Sequence, residues 1–325
     1  MLELKWLQQK MFWREEYKMN GLMTFTVVAG GTACNAKCPC CVARMTGSCG
    51  VPVRAPEFNE WQWQNFDSAC RIATKSPNIT SAVITSKGEA TISKDSRDQL
   101  TKIIERMEPY HFPLLDLQTN GIAIADKPEE FEPYLVKWRR LGLNTIAISH
   151  VHYEPEKNRE FYVPHRKSYI DLPALIKNLH NPERKFSVRL TTILADGYID
   201  SPEKVANLIK FAKDNQVEQL SLKVMTKPEQ SLDEGVYKWC MEHHLSDKQT
   251  EDIENYLSDN GNRKPRWVLP HGAPVYSIDG VTCSFTSPSN DCFKLPVDKF
   301  ALRQLIFFPD GSLRDGWGED AGRLL

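Results

Sequence analysis

The sequence holds no uninterrupted apolar run near the roughly 18 to 20 residues that a membrane-crossing helix needs. It also has no apolar core behind a charged N-terminus of the kind that directs secretion. Nine cysteines without such a signal point to a reducing, cytoplasmic setting and away from a disulfide framework. Net charge is scarce too, because 41 Lys and Arg against 42 Asp and Glu leave −1 at pH 7. Non-specific nucleic-acid binding needs clustered cations that displace counterions from phosphates, so that class is set aside. Beyond an alternation of strands and helices there is no internal repeat or low-complexity tract. The chain does have material for a core: 41% of its 325 residues are hydrophobic, enough for one large domain or a domain with an appendage.

The alternation is regular over the first two thirds. Helical periodicity over Pro56 to Thr74 is followed by a short apolar strand at Ser81 to Thr85, a helix over 94 to 107 and a strand at Pro113 to Gln118. A helix over 129 to 141, a strand at Thr145 to Ser149, a helix over 168 to 180 and a strand at Ser187 to Leu194 continue it. A helix opening on Ser201-Pro202-Glu203, with N-cap, N1 proline and acidic first turn, precedes a strand at Gln219 to Val224. Such alternation predicts parallel βαβ units of the α/β class, with chemistry at the C-terminal ends of the strands. Composition does not decide between an open sheet and a barrel. From about Pro228 the pattern stops, leaving a helix over 246 to 258 and a strand at Arg303 to Phe308 entering a turn. The expected organisation is an N-terminal helix over 1–21, a main domain over 22–228 and a C-terminal extension over 229–325 that covers the open side. In the first segment Trp6, Leu7, Phe12 and Trp13 among Lys and Glu make an amphipathic helix that caps the base of the main domain or lies on a membrane surface.

Cys34-Asn35-Ala36-Lys37-Cys38-Pro39-Cys40-Cys41 follows the strand-like run Thr24 to Val28 and sets three thiols at CxxxCxxC spacing. Three thiolates hold three corners of a four-iron cluster, whereas full protein ligation takes four, so one iron stays open. Zinc prefers four ligands, commonly as two CxxC-like pairs, and no clear second pair lies downstream. Cys34, Cys38 and Cys41 are the expected ligands. Cys40 is either a spare thiol packed against the cluster or a competitor of Cys41.

This arrangement resembles the radical S-adenosylmethionine (SAM) superfamily, over about residues 22 to 226. Thr119-Asn120-Gly121 after the third strand resembles the TNG element of its molybdenum-cofactor-cyclase-like branch. The resemblance implies a partial (β/α)6 TIM-like barrel and a [4Fe-4S] cluster whose open iron binds SAM by its amino and carboxylate groups. It also implies reductive cleavage of SAM to a 5'-deoxyadenosyl radical that takes a hydrogen atom from substrate, and an electron donor such as flavodoxin or ferredoxin. Ser86-Lys87-Gly88-Glu89-Ala90-Thr91 resembles the GGEP element, with Lys87 and Ala90 departing from it; Gly88 and Glu89 would then hold the SAM amino group. Asn120 joins them as a cofactor residue, although Asn-Gly is also a stock turn sequence. Ser149, ending the fourth strand, is expected against the SAM ribose or carboxylate. Arg189 either points inward to the methionine carboxylate or outward to a helix carboxylate.

His150, His152 and Tyr153 follow in the usual place for substrate contacts, with His165 and Arg166 in the next loop; a solvated loop explains them equally. Cys240, Cys283 and Cys292 are candidates for a second cluster or for buried small hydrophobes. Asp291, Arg314, Asp315 and Trp317 are lid contacts or plain surface. With no leader-binding or cysteine-rich domain visible, the expected substrate is a small molecule such as a sugar, nucleotide or amino-acid derivative. The alternatives are a radical SAM enzyme acting on a peptide or protein, and a non-catalytic iron-sulfur or zinc protein.

Overall fold

The computed structural model describes residues 24–325 except 77, 78, 80, 165–168, 270, 289–303, 319 and 320. The helix expected over 1–21 lies outside these residues, as do His165, Arg166, Asp291 and Cys292. Eleven strands form one sheet in the order β11-β10-β1-β2-β3-β4-β5-β6-β9-β8-β7. The six expected strands are β1 (Thr24–Val28), β2 (Ser81–Thr85), β3 (Leu114–Thr119), β4 (Thr145–His150), β5 (Ser187–Leu194) and β6 (Gln219–Val224). They pair in parallel, each with the next.

The C-terminal third is not only a cover. Its β9 (Val281–Thr286) pairs in parallel with β6, and its β10 (Leu305–Phe307) pairs in parallel with β1 on the opposite side. Eight strands therefore run in one direction, and the six-stranded limit drawn from sequence is exceeded at both ends. Beyond them, β8 (Pro274–Ile278) with β7 (Trp267–Val268), and β11 (Leu313–Arg314), are antiparallel.

The two faces of the sheet differ in chemistry. β5 alternates half-exposed and buried residues along its whole length, and β1, β2 and β9 do nearly the same. One parity supplies Phe25, Val27, Ala82, Ile84, Leu117, Ile146, Ile148, Val188, Leu190, Leu220, Leu222 and Phe285, all in the main hydrophobic core. The other carries Thr26, Thr85, Asp116, Gln118, Ser149, Thr191, Ser221 and Ser284. A parallel sheet with helices on both faces reads as continuous apolar runs. Here one face is covered and the other is a polar floor.

Local rules place the helices. Helix α2 (Glu60–Lys75) begins later than Pro56 because Asn59 makes a capping box with Gln62. Helix α3 (Lys94–Met107) is capped by Ser93, and α8 (Pro202–Asp214) by Ser201 as expected. Between them lie α4 (Ile122–Asp126), α5 (Pro128–Arg140), α6 (Pro155–Tyr162) and α7 (Leu172–Leu179). The short α1 (Val42–Thr46) follows the cysteines, and α9 (Glu234–His243) and α10 (Asp247–Asn260) lie in the C-terminal third.

Candidate functional site

β1 delivers the cysteine loop to a place where three backbones meet. The N–H groups of Thr32 and Ala33 donate to the carbonyls of Pro52 and Val53, and Glu89 N–H donates to the Ala33 carbonyl at 2.9 Å. A Cβ on Gly88 would lie 2.1 Å from that same Ala33 oxygen. Gly88 is therefore required by the contact between the two loops.

The loop ends at Cys41, the N-cap of α1. Arg44 on α1 donates from Nη1 to the Cys38 carbonyl at 3.4 Å, and its Nη2 lies 2.7 Å from Asp233. Asp233 also caps α9 by accepting from Val236 N–H, and Leu232 N–H donates to the Met45 carbonyl. The C-terminal third thus clamps the cysteine helix.

Cys34, Cys38 and Cys41 line one cavity of about 600 Å³, together with Lys87, Gly88, Glu89, Gln118, Asn120, Ser149 and Tyr162. That volume is ordinary for a small-molecule site, about 300 to 1,000 Å³. Cys40 does not line it; it is buried in the hydrophobic core, as is Cys240. Burial pushes the Cys34 thiol up to about 11, with the Ala36 backbone N–H opposing and Glu89 adding. Burial, then Cys34 and Cys41, raises Cys38 well above the ordinary thiol value.

Glu89 is 3% exposed, and its carboxylate is already well supplied with donors. Oε1 accepts from Thr91 N–H, Thr91 Oγ1 and Thr119 Oγ1, and Oε2 accepts from Asn120 N–H at 2.8 Å. A carboxylate oxygen has about two lone-pair sites, so Oε2 keeps one for a further donor. The Asn120 side chain is committed to the cysteine loop: Nδ2 donates to Asn35 Oδ1 at 2.7 Å and lies 3.8 Å from Cys34 Sγ, while Oδ1 accepts from Ile122 N–H. It supports the loop and also lines the cavity, the place where a cofactor contact is expected of it.

Ser149 reaches the cavity from the polar floor, in register with Thr191 on β5, which pairs with Ser221 on β6 and in turn Ser284 on β9. Arg189 lies on the same face but does not line the cavity; it is ion-paired with Asp116 of β3. Neither sequence alternative foresaw a strand carboxylate as its partner. His150 is a clearer difference. Its side chain has the opposite parity to Ser149, is wholly buried and lies 3.3 Å from Thr192 Oγ1, among the helix-side residues. His152 accepts from Glu154 N–H and packs at a tilt against Tyr153, which stacks on Phe211 of α8. None of the three lines the cavity, because the chain leaving β4 turns under α6, where Asn158 accepts from the N–H groups of Val151 and His152.

Sequence reasoning gave no role to Tyr162, Gln118 or Arg44. Lys87 entered only as a departure from a motif. The alternation that marks β3 held the signal for Gln118; Tyr162 sits in a helix that periodicity did not single out. Cys240 and Cys283 are both buried in the core, and among the described residues no three His, Cys, Asp or Glu side chains converge to hold a single metal ion. Three soft thiol donors around a roomy cavity suit an iron-sulfur cluster with one iron left to another ligand.

No family model and no curated protein matches the sequence. Solved structures match in fold. Streptococcus suis SuiB bound to precursor peptide SuiA aligns at TM-score 0.56 and 11% identity, over 91% of this chain and 60% of SuiB. The enzyme anSMEcpe with bound AdoMet aligns at 0.51 and 12% identity, over 90% of this chain and 74% of its own. A radical SAM methyltransferase from Sphaerobacter thermophilus aligns at 0.51 and 16% identity, over 84% and 70%. The chain spans about three fifths of SuiB's length. The architecture is thus of the α/β class, and more particularly it is the fold shared with these solved structures, a radical SAM methyltransferase among them. No helix among the described residues is long and apolar enough to cross a membrane.

Proposed function

We propose that the protein is a radical SAM enzyme acting on a small molecule. The observation that carries this reading is the convergence of Cys34, Cys38, Cys41 and the Glu89 and Asn120 loops on one cavity of a radical SAM fold, with Cys40 turned into the core. A [4Fe-4S] cluster with SAM would supply a reductively generated 5'-deoxyadenosyl radical able to abstract hydrogen.

The chain's own residues do the rest. Cys34, Cys38 and Cys41 hold the cluster. Glu89 Oε2 would accept the ammonium of SAM in a charge-assisted contact, while Thr91 and Thr119 fix the carboxylate's direction. Ser149 contributes a hydroxyl to the cofactor's polar edge. Asn120 orients the cysteine loop through Asn35. The protein works in a reducing, cytoplasmic compartment with a flavodoxin or ferredoxin as donor. Peptide substrates are the second reading, prompted by the peptide-bound structure of SuiB.

The test is anaerobic reconstitution with iron and sulfide, reduction with dithionite, and chromatography for 5'-deoxyadenosine after SAM is added. Wild type is expected to form it, and Cys34→Ala, Cys38→Ala and Cys41→Ala to lose it. Failure of wild type to assemble any iron-sulfur cluster refutes the reading.

A further inference from the structure

Lys87 is 6% exposed and lines the cysteine cavity, yet its ammonium has no carboxylate within ion-pair distance among the described residues. Nζ donates to Thr46 Oγ1 at 2.9 Å and sits 5.4 Å from the centre of the Trp317 ring. One hydroxyl and one ring face leave two of its three N–H donors without an acceptor among the described residues. An ammonium taken out of water in that condition is poorly compensated until a counter-charge arrives.

The other charges at the cavity do not supply one. Glu89, on the same loop, makes no ion pair with Lys87: its carboxylate is held by Thr91, Thr119 and Asn120, and the lone pair left on Oε2 is the one assigned above to the SAM ammonium. Arg44 is neutralised by Asp233. Lys37 adds a further positive charge to the lining and Ser48 a hydroxyl, whereas the Ser86 hydroxyl already donates to the Gly31 carbonyl. The lining around the cysteines is therefore rich in positive charge.

We propose that Lys87 is an anion-binding subsite that takes the carboxylate or phosphate group of a small molecule bound in the cysteine cavity. Thr46 and the face of Trp317 hold the ammonium in place from behind, the ring by cation–π attraction. The subsite rests on the functional reading above only in naming that cavity as the place of chemistry, and its ligand class is an acidic metabolite.

The test uses the full chain without cluster, so that it is independent of cluster assembly. Inorganic phosphate is titrated calorimetrically into wild type, Lys87→Met, Lys87→Arg and the exposed control Lys94→Met, with circular dichroism to confirm folding. Phosphate is expected to bind wild type and Lys94→Met alike, at least tenfold more weakly to Lys87→Met, and within about threefold of wild type to Lys87→Arg. Equal binding to wild type and Lys87→Met, or none to wild type, overturns the proposal. If Lys87→Met is unfolded, loss of phosphate binding in folded Lys87→Gln supports the subsite and retention overturns it. SAM titrated into reconstituted wild type and Lys87→Met then assigns the source of the anion. A tenfold loss gives the subsite to the carboxylate of SAM, and unchanged affinity gives it to the second substrate.

Discussion

Replacing Glu89 by Gln tests the centre of the site without cluster or substrate. The carboxylate accepts four hydrogen bonds, three at Oε1 and one at Oε2, all inside a residue that is 3% exposed. A glutamine keeps its carbonyl where three donors converge and must then turn its NH2 toward Asn120 N–H, setting donor against donor. One charge-assisted bond, about 1.5 to 3 kcal/mol, is lost and the others become neutral ones. A total near 3 kcal/mol follows. For a chain of this length each kcal/mol moves the midpoint by about 2 °C, so Tm is expected to drop by roughly 6 °C. Urea and thermal unfolding of the cluster-free protein measure it. Glu89→Gln within about 0.5 kcal/mol of wild type would refute the network, whatever the variant did to SAM binding.

Gly88→Ala is expected to cost about 1 to 3 kcal/mol, because its Cβ would meet the Ala33 carbonyl at 2.1 Å and prise the Glu89 loop from the cysteine loop; the same unfolding assay reads the loss. Cys40→Ala should bind iron and sulfide as wild type does, while Cys41→Ala should not, and iron content after reconstitution separates them. His150 sets an acid limit. Burial holds its imidazole neutral, with its pKa down at about 4 from 6.5, so the folded chain binds fewer protons than the unfolded one between those values. That stabilisation is complete above pH 6.5 and is lost as pH falls through 4, about 3 kcal/mol in all; urea midpoints of His150→Gln should lose this part of the slope.

The six central strands and the cysteine triplet were legible because both are local signals, short apolar runs between turn residues and a spacing of thiols along a loop. Glu89 was legible through its place after β2. Three things were not. The pairing of β9 with β6 and of β10 with β1 joins residues far apart in sequence, and two- to six-residue strands carry too little pattern to announce a partner. The side toward which His150 points follows from strand parity, which fixes Ser149 inward and His150 outward, but only once the end of β4 is known to run through residue 150. The partner of Arg189 could not be read at all, since Asp116 lies two strands away and becomes a neighbour only when the sheet forms.

The cysteine loop is closed by residues made nearly three hundred positions after it. Cys49 Sγ donates to the Trp317 carbonyl at 3.0 Å, Lys87 lies over the same ring, and β10 covers the free side of β1. Until residues 305–317 have been added by the ribosome, Cys49 lacks the carbonyl to which it donates and β1 keeps one side unpaired. The cysteine loop is thus made early and enclosed late, so its thiols meet solvent on the growing chain before the wall behind them exists.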